Sequence, residues 1–507
     1  MGRKIFLLII FLFTAYSFGQ VNININLDSI KRPIDSLSFG LNGSYAYMQS
    51  TTSNSSWRAG IKYAIGRPDN KTALFRLHRQ GLVAYWSPNS IWNQDRILNG
   101  LRPLVNDSII IMIDFDRAIG GNGMDIAPND AAELVRIVNV VGKLGVKYWE
   151  IFNENGGDGA TRGQQVKNCI RAMKQVDSTI KVGGPALSYF DQNFFRAFIQ
   201  NSAPDIDFIT YHGYGGGNTS GMSDAAIYDW AVNTGNSIRQ MRNLISQYSP
   251  NKYIKIMLDE YNISWDWTII DQRTTSNKGA VFSALVMTAC VENGGDITNR
   301  WNDTEPAFAI MTNNGEPYTV AHVYHLFNRF CLGNLVFSQT SDSRTIVPFT
   351  VKTNQQTTIV LINRSSSNQN VNISIKGNIN NPTFKRYQIW TRNGIDSSTI
   401  NFSQSTSSVV VPDNSVTFLV NTTNVKAKNP ILPALNNNTI SAKYIKIYSI
   451  SGKLIMNINL EKEKTFTKQE LLDFIKKSAK DKNINKNCLL IIKNNESSIK
   501  FLTSLFH

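Results

Sequence analysis

Residues 147–157 read Lys-Tyr-Trp-Glu-Ile-Phe-Asn-Glu-Asn-Gly-Gly, a short apolar strand that ends in polar residues and then in a glycine loop. Seven further short apolar runs alternate with helical patterns between about Ser36 and Phe330. Eight strands separated by helices fit a (β/α)8 barrel, which takes about 250 residues or more. We therefore predict the α/β fold class and assign residues 20–331 to a TIM barrel.

The strand-like runs share short length and a mainly apolar character. They are Ser38–Leu41, Ala73–Leu77, Ser108–Ile113, Lys147–Phe152, Ile180–Val182, Ile206–Tyr211, Ile254–Leu258 and Asp296–Arg300. Helical periodicity predicts helices at Pro128–Leu144, Gly163–Val176, Asp191–Gln200, Ala225–Gln247, Lys278–Glu292 and Val320–Phe330. A doubly wound open sheet is the main alternative, but no glycine-rich phosphate turn follows an early strand.

The pattern after the barrel changes to period-two alternation. Because short alternating strands are separated here by Asn, Ser and Gly turns, we assign residues 332–425 to a β-sandwich. The opening segment at residues 21–27 also alternates, so it either stays with the barrel or crosses over to join the sandwich. An Asn- and Pro-rich linker at residues 426–440 leads to a small β-rich domain at residues 441–507, where two alternating strands flank a Ser-Gly turn.

The first residues have the pattern of a secretory signal peptide. A basic start precedes an apolar run at residues 5–18, and small residues before Gln20 predict cleavage after Gly19. An uncleaved anchor is the alternative, but the apolar run is short for a membrane span. We assign residues 1–19 to the signal peptide and expect a secreted or cell-surface protein, with no integral membrane span in the mature form.

The composition describes a folded chain with a basic tail. The 507 residues are 42% hydrophobic and 10% aromatic, which argues against a disordered protein. The formal net charge is +15, but residues 426–507 alone contain 15 Lys against 6 acidic residues. Since the rest of the chain is only weakly basic, we predict no nucleic-acid partner.

Neither the cysteines nor the acidic loops have the spacing of a metal site. Cys169 and Cys290 lie in helical patterns and are expected to act as small apolar residues. A Cys290–Cys331 pairing stays open, although we expect no disulfide. The acidic residues at 114–116 and 120–125 do not match an EF-hand, and a solvated loop is the better interpretation. We predict no metal and no cofactor.

Two glutamates close strands at the same end of the predicted barrel. Glu154 follows the fourth strand, and Glu260 ends the seventh, which reads Ile-Lys-Ile-Met-Leu-Asp-Glu-Tyr-Asn at residues 254–262. Catalytic groups of such barrels lie at the C-terminal ends of strands. Retaining glycoside hydrolysis needs two carboxyl groups about 5–5.5 Å apart, one to attack the anomeric carbon and one to protonate the departing oxygen. The alternative is a surface carboxylate at Glu154 and a salt-bridged strand end at Glu260.

Other strand ends carry residues suited to support such a pair. His212 and Tyr214 close the sixth strand, where each can hydrogen-bond a nucleophile. Arg76 ends the second strand, and its charge would lower the pKa of the nucleophile. His78 lies two residues further on. The structural alternatives are a core histidine and an ion pair inside the barrel.

Sugar contacts are predicted for an amide and for exposed aromatic rings. Asn153, next to Glu154, is placed to bind a sugar 2-hydroxyl. Trp301 follows the eighth strand as a candidate stacking floor, and Trp265 and Trp267 are candidates for the rim, because sugar C–H faces pack on aromatic rings. Ordinary packing is the alternative for Trp301.

One glutamate in the motif has a different expected role. Glu150 precedes Glu154 by four residues, so in a continuous strand both side chains would point to the same side. We expect Glu150 to be a structural charge deep in the barrel, paired with a neighbour.

These motifs together resemble glycoside hydrolase clan A, a group of retaining (β/α)8 enzymes. Residues 149–154 resemble the acid/base motif of the clan, and residues 259–262 resemble its nucleophile motif. The resemblance implies that Glu154 is the acid/base and Glu260 the nucleophile, and that a polysaccharide or oligosaccharide is the substrate.

Within the clan, residues 76–78, the sandwich after the barrel and the Asn at 262 are most similar to families 39 and 51. That likeness implies β-xylosidase, α-L-arabinofuranosidase or a related activity. The chain departs from the pattern in having Gly-Gly after Asn155, where many members have a Pro after the Glu, and Arg79 after His78 instead of Gly. These departures concern the substrate more than the reaction.

The tail resembles the C-terminal sorting domain of Bacteroidetes proteins that are exported by the type IX system. This resemblance implies that the type IX secretion machinery is a partner, and the alternative is an ordinary accessory β-domain. The sequence as a whole predicts a secreted retaining glycosidase that acts on a plant or algal polysaccharide by double displacement. A non-catalytic surface glycan-binding protein and an adhesion protein are the alternatives from other classes.

Overall fold

The computed structural model describes the chain in segments and divides it into two compact units, residues 1–426 and 427–507. The described segments are residues 20–43, 49–78, 92–115, 126–379, 381–390, 394–403, 405–422, 439–449, 454–467, 487–493 and 498–504. The predicted signal peptide and most of the predicted linker lie outside these segments.

The first unit contains a closed barrel of eight parallel strands, which confirms the predicted fold class. The barrel closes where the first strand pairs with the last, as Leu41 does with Arg300. Its strands are β2 Phe39–Gly43, β3 Leu74–Leu77, β4 Ile110–Phe115, β5 Tyr148–Ile151, β6 Lys181–Leu187, β7 Phe208–Tyr214, β8 Lys255–Asn262 and β9 Ile297–Arg300.

Helices surround the barrel and begin at polar caps. Side chains such as those of Asp158, Asp191 and Ser223 accept hydrogen bonds from the first free backbone N–H groups. The helices are α1 Gln49–Ser53, α2 Ser55–Ile65, α3 Gln94–Asn106, α4 Pro128–Val135, α5 Gly159–Val176, α6 Gln192–Ser202, α7 Asp224–Tyr248, α8 Asn277–Glu292 and α9 Thr319–Phe330. The helix predicted at Pro128–Leu144 is α4 followed by a π-helical segment, Arg136–Val141.

Strand β8 is longer than predicted and contains a bulge. Tyr211 of β7 pairs with Leu258, whereas the next residue, His212, pairs with Glu260. Asp259 is therefore an extra residue on β8, and a bulge of this kind re-aims side chains near active sites. As a consequence, two consecutive acidic residues both turn toward the interior of the barrel.

A nine-stranded sheet follows the barrel and includes the start of the described chain. Its order is β15-β14-β17-β12-β11-β10-β1-β13-β16. Strand β1 lies antiparallel to β10 and parallel to β13. The strands are β1 Val21–Pro33, β10 Asn334–Thr340, β11 Ile346–Lys352, β12 Gln356–Asn363, β13 Gln369–Lys376, β14 Thr383–Ile389, β15 Asp396–Asn401, β16 Thr406–Val411 and β17 Ser415–Thr422.

This sheet buries apolar residues on both of its faces. Alternate residues of β1, β12 and β13, among them Ile23, Leu361 and Ile373, share one core. Residues on the other face, such as Val360 and Phe418, join the core of the barrel. Helix α8 contacts both β9 and β17, which explains why nearly all of its side chains are buried.

The chain start is also bound to the bottom of the barrel. Asp296, just before β9, receives hydrogen bonds from Arg32 at 2.6 Å and from Arg242 at 2.9 Å. Since Arg32 belongs to β1, this buried carboxylate connects the sheet to the barrel.

No disulfide joins the buried cysteines that the structure describes in the first unit, Cys169, Cys290 and Cys331. Burial raises the pKa of the Cys290 thiol to about 12. The open Cys290–Cys331 pairing is therefore not formed, and these thiols pack as small apolar groups.

The second unit contains a four-stranded antiparallel sheet in the order β19-β18-β20-β21. Its strands are β18 Thr439–Ser449, β19 Leu454–Thr467, β20 Asn487–Lys493 and β21 Ser498–Ser504. Across the described segments of the whole chain, no helix has the length and apolar character of a membrane span.

Candidate active site

A cleft of about 980 Å³ opens at the C-terminal ends of the barrel strands. Such a cavity is at the large end of the range for small-molecule sites, about 300–1,000 Å³. Nine of the ten residues predicted for the site line it, and the tenth, Arg76, is fully buried beneath. The nine are His78, Asn153, Glu154, His212, Tyr214, Glu260, Trp265, Trp267 and Trp301.

The two predicted catalytic glutamates meet in this cleft. One carboxylate oxygen of Glu154, one ring nitrogen of His212 and one carboxylate oxygen of Glu260 lie within 4.8 Å of one another. This spacing is compatible with the close pair of carboxyl groups that a retaining glycosidase uses, about 5–5.5 Å apart.

Glu260 lies deep in the cleft and is held by two donors. The Tyr214 hydroxyl donates to Oε1, and the Arg76 guanidinium approaches Oε2 at 3.3 Å. Burial raises the pKa of Glu260 above its ordinary value, although the charges of His212 and Arg76 each lower it. The charge of Arg76 therefore lowers the pKa of Glu260, as predicted, but the net pKa is still raised because loss of solvent outweighs the attraction of the two cations.

Glu154 stands at the mouth of the cleft, with its side chain 45% exposed. Its Oε1 lies 3.0 Å from His212 Nδ1, and its backbone N–H donates to the Ala186 carbonyl at 2.8 Å. Phe152 and Glu154 both have left-handed backbone conformations, with φ of 77° and 59°. Such strain is found at functional sites, where the surrounding structure holds it in place.

This turn also corrects the expected relation between Glu150 and Glu154. Strand β5 ends at Ile151, so alternation does not extend to Glu154. Glu150 points into the closed barrel and is fully buried, whereas Glu154 is exposed at the rim.

Arg76 is the centre of a buried charge cluster. Its guanidinium lies within 3.3 Å of four carboxylates, which belong to Asp114, Glu150, Asp259 and Glu260. It also donates to amide oxygens, at 3.1 Å to Asn42 and at 2.7 Å to Asn153. Asp114 was expected in a solvated loop, but it lies in β4 with no exposed surface.

His212 lies between the two glutamates. Burial opposes protonation of the ring, but the carboxylates of Glu260 and Asp259 raise the pKa of His212 well above its ordinary value. Its Nε2 lies 3.7 Å from an oxygen of each of these two residues. The surrounding carboxylates therefore favour the protonated form of the ring, which links the exposed glutamate to the buried pair.

Aromatic side chains form the floor and the rim of the cleft. Trp301 is 8% exposed and packs edge to face against His78, with ring centroids 4.8 Å apart. Trp265 and Trp267 are 61% and 71% exposed, and Tyr189 on the far side is 62% exposed. The Trp265 backbone N–H donates to the Gly216 carbonyl at 2.9 Å, which fixes this part of the rim.

A metal ion would have to compete for the ligands it needs here. Among the described residues, Glu154, His212 and Glu260 form a cluster of the right size. Glu260 is already bound by Arg76 and Tyr214, and a protonated His212 cannot coordinate a metal. We therefore interpret the cluster as an acid–base centre.

Sequence reasoning missed several residues of the site. Asn42, Asp114 and Asp259 contact Arg76 or lie around it, and Tyr189 and Glu305 line the cleft. Asp114 had a usable signal, because it ends the apolar run at residues 109–113 in the same way that Glu260 ends its own run. The loops that carry Tyr189 and Glu305 have no comparable pattern.

Known proteins are similar to this chain in part of its sequence and in its fold. The sequence signature of glycosyl hydrolases family 39 matches residues 163–378, a segment that contains Glu260 and begins after Glu154. No curated protein is similar enough to the sequence to count as a match.

Solved structures share the fold at low sequence identity. The bifunctional glucanase-xylanase CelM2 from a metagenome library has 14% identity and a TM-score of 0.60, covering 80% of this chain and 99% of its own. An α-L-arabinofuranosidase from Thermotoga maritima has 15% identity and a TM-score of 0.61, covering 80% and 100%. A xyloglucanase of glycoside hydrolase family 44 from Paenibacillus polymyxa has 15% identity and a TM-score of 0.60, with the same coverage.

The barrel, the paired carboxylates and the family match define the protein as a glycosidase. Among the families of that class, the chain is similar to family 39 over residues 163–378, which is less than half of its length.

Proposed function

We propose that the protein is a retaining glycosidase that cleaves a polysaccharide by double displacement, with Glu260 as nucleophile and Glu154 as acid/base. The observation that supports the proposal is the close approach of two carboxylates in unlike surroundings. Glu260 is buried against Arg76 and Tyr214, whereas Glu154 is half-exposed at the mouth. Unlike surroundings are what separates an attacking carboxylate from a proton donor.

In the first step, a Glu260 oxygen attacks the anomeric carbon while the Glu154 carboxylic acid gives its proton to the departing oxygen. The attack consumes the negative charge that Arg76 and Tyr214 hold in place. In the second step, the Glu154 carboxylate takes a proton from water while the water oxygen bonds to the anomeric carbon. The bond between that carbon and Glu260 breaks, which regenerates the Glu260 carboxylate and the Glu154 acid. His212 contacts Glu154 and is a positioning residue for it.

Asn153 is suited to bind the sugar in the transition state. Its Oδ1 accepts a hydrogen bond from Arg76 at 2.7 Å, so its NH₂ group faces away from the guanidinium. Since Asn153 lines the cleft, this amide is available to donate to the sugar 2-hydroxyl, a contact that strengthens as charge develops on the ring.

The stereochemistry of the product tests the mechanism. We expect hydrolysis of a plant or algal polysaccharide, chosen from a panel that includes xylan, arabinan and agar, to release a product with the anomeric configuration of the substrate. Proton NMR in the first minutes, before mutarotation, measures it. A matched 2-fluoro sugar should label Glu260. An inverted product, or a label on another residue, would overturn the proposal.

The exposed aromatic rim supports a polymeric substrate, because it lies beyond the pair of glutamates. We expect Trp267→Ala to lower kcat/KM for the polymer about three- to tenfold, since an aromatic contact is worth about 0.5–1.5 kcal/mol. Hydrolysis of a small aryl glycoside should change much less. Trp390→Ala is the matched control, because Trp390 is 41% exposed, directly follows β14 and does not line the cleft. Equal losses on both substrates would contradict a role in binding the polymer.

We also propose that the protein is exported and acts outside the cell or on its surface. The pattern of residues 1–19 and the resemblance of residues 441–507 to a type IX sorting domain support this proposal. Fractionation of producing cells tests it, and recovery of the full-length chain from the cytoplasm alone would contradict it.

A further inference from the structure

The charges around Arg76 do not balance if every acidic group is ionised. Four buried carboxylates surround this one guanidinium, and they come from three different strands. Protonated His212 supplies one more positive charge. Tyr214 is neutral, because its pKa is raised well above the ordinary value, mainly by burial. Two cations would then face four anions without solvent, which is strongly unfavourable.

Two of the four carboxylates compete for the same donor. Arg76 Nε lies 2.5 Å from Glu150 Oε2 and 3.2 Å from Asp259 Oδ2. Glu150 Oε2 accepts the hydrogen bond. Among the described residues, Glu150 Oε1 and both oxygens of Asp259 accept no well-formed hydrogen bond, although Arg76 and His212 approach Asp259 Oδ2 at 3.2 Å and 3.7 Å. A buried carboxylate without a well-placed donor is rare, because its lost solvation is then poorly compensated.

A proton on one of the two groups supplies the missing donor. Glu150 and Asp259 are adjacent, because an oxygen of each lies within 3.2 Å of the same Arg76 nitrogen. A carboxylic acid donates to a neighbouring carboxylate, whereas two carboxylates at this distance only repel. The bulge in β8 creates the arrangement, since it turns Asp259 as well as Glu260 toward the interior.

We propose that Glu150 and Asp259 share one proton beneath the catalytic centre, so that the pair carries a single negative charge. The proton lies on Glu150, and Glu150 donates it to Asp259. With one negative charge fewer around it, the Arg76 guanidinium remains able to stabilise the ionised form of Glu260. Both residues are then positioning residues for the nucleophile. This role rests on the proposed function, whereas the shared proton does not.

The electrostatic surroundings of the two groups agree with this assignment. Burial raises the pKa of Glu150 well above the ordinary value, with further increases from Asp259 and Asp114 against the opposing effect of Arg76. Burial also acts to raise the pKa of Asp259, but Arg76 and His212 outweigh it and the pKa is lowered. Opposite shifts in adjacent carboxyl groups are the behaviour of a dyad that holds one proton.

The shared proton bears directly on the nucleophile. Each additional negative charge near Glu260 raises its pKa, and burial and Glu154 already act in that direction. The groups that face Glu260 are Arg76, His212, Tyr214, Glu154, Asp259 and, through Arg76, Asp114 and Glu150. A neutral Glu150 keeps the fraction of ionised Glu260 high at neutral pH.

Amide variants provide the functional test. Glu150→Gln and Asp259→Asn each remove the shared proton and leave one negative charge in the pair, so each should move the acid limb of kcat/KM by less than about 0.3 pH unit. The double variant removes the charge, which favours ionised Glu260. Its acid limb should move to lower pH by about one unit or more. A Glu150→Gln variant that by itself moves the limb to lower pH by about half of the shift seen in the double variant would show that Glu150 is ionised and would overturn the proposal.

Infrared spectroscopy tests the proton without any substrate. The folded protein at pH 7 should show the carbonyl stretching band of a buried carboxylic acid that disappears in Glu150→Gln. The same band should disappear in Asp259→Asn, because Glu150 then ionises to pair with Arg76. Glu305→Gln is the matched control and should leave it unchanged. A band that persists in either single variant contradicts the shared proton. This result does not depend on whether any glycoside is hydrolysed. Either variant alone is decisive if the other fails to fold.

Discussion

Glu260→Ala is expected to lower kcat by about 10⁴-fold or more on every substrate, with the fold retained. The variant loses the group that forms the bond to the anomeric carbon, and the remaining residues of the cleft can only bind the sugar. The loss should be similar for good and poor leaving groups, because attack is removed in both. Steady-state kinetics on an aryl glycoside and on the polymer measure it, with circular dichroism to verify folding.

Azide provides the diagnostic for this variant. The space left by the Glu260 side chain admits a small anion, which then attacks from the same face of the sugar. The product should be a glycosyl azide of inverted configuration. Glu305→Gln is the control, because Glu305 lines the same cleft and its side chain is bound by Asn302 rather than by Arg76. A Glu260→Ala enzyme with activity near that of the wild type would end the assignment of this residue.

Glu154→Ala should produce a loss that depends on the leaving group. Cleavage of the polymer should fall by about 10²–10⁴-fold, the range of a general acid. An aryl glycoside with an acidic phenol needs little protonation, so its first step should be much less affected and the covalent intermediate should accumulate. A burst of phenol followed by a slow steady state, measured by stopped flow, is the expected signature.

Rescue by azide separates the two glutamates. In Glu154→Ala the sugar is already attached to Glu260, so azide attacks from the opposite face and yields a glycosyl azide of retained configuration. The basic limb of the pH profile should also disappear, because the titrating proton donor is gone. Equal losses for all leaving groups, or an inverted azide product, would assign Glu154 to a different role.

The barrel was predictable because each strand and each helix has its own local signal. Runs such as residues 109–113 are continuously apolar, as strands buried on both faces must be, and they alternate with helical periodicity. The strand-end glutamates were predictable for the same reason, since Glu154 and Glu260 interrupt apolar runs at one end of the barrel. Helices α1 to α3 were not predicted, because their apolar periodicity is short or interrupted.

The charge network was not predictable, since it depends on contacts between strands far apart in the sequence. The sequence Leu258-Asp259-Glu260 contains no pattern that predicts a bulge. The bulge nevertheless causes both acidic residues to face Arg76. Simple alternation failed at Glu154 because the strand ends at Ile151 and the backbone enters a left-handed turn. The net direction of the Glu260 pKa shift was not predictable from sequence, because it depends on how much solvent is lost around the carboxylate.

Strand β1 can pair with its neighbours only after most of the chain has been synthesised. Ile23 pairs with Thr340 on β10 and with Ile373 on β13, both more than 300 residues further along the chain. Loop closure over such a length is slow, and an unpaired apolar strand edge is prone to aggregate. The emerging chain must therefore keep this edge covered until β13 has left the ribosome, a task for chaperones or for delayed collapse during synthesis.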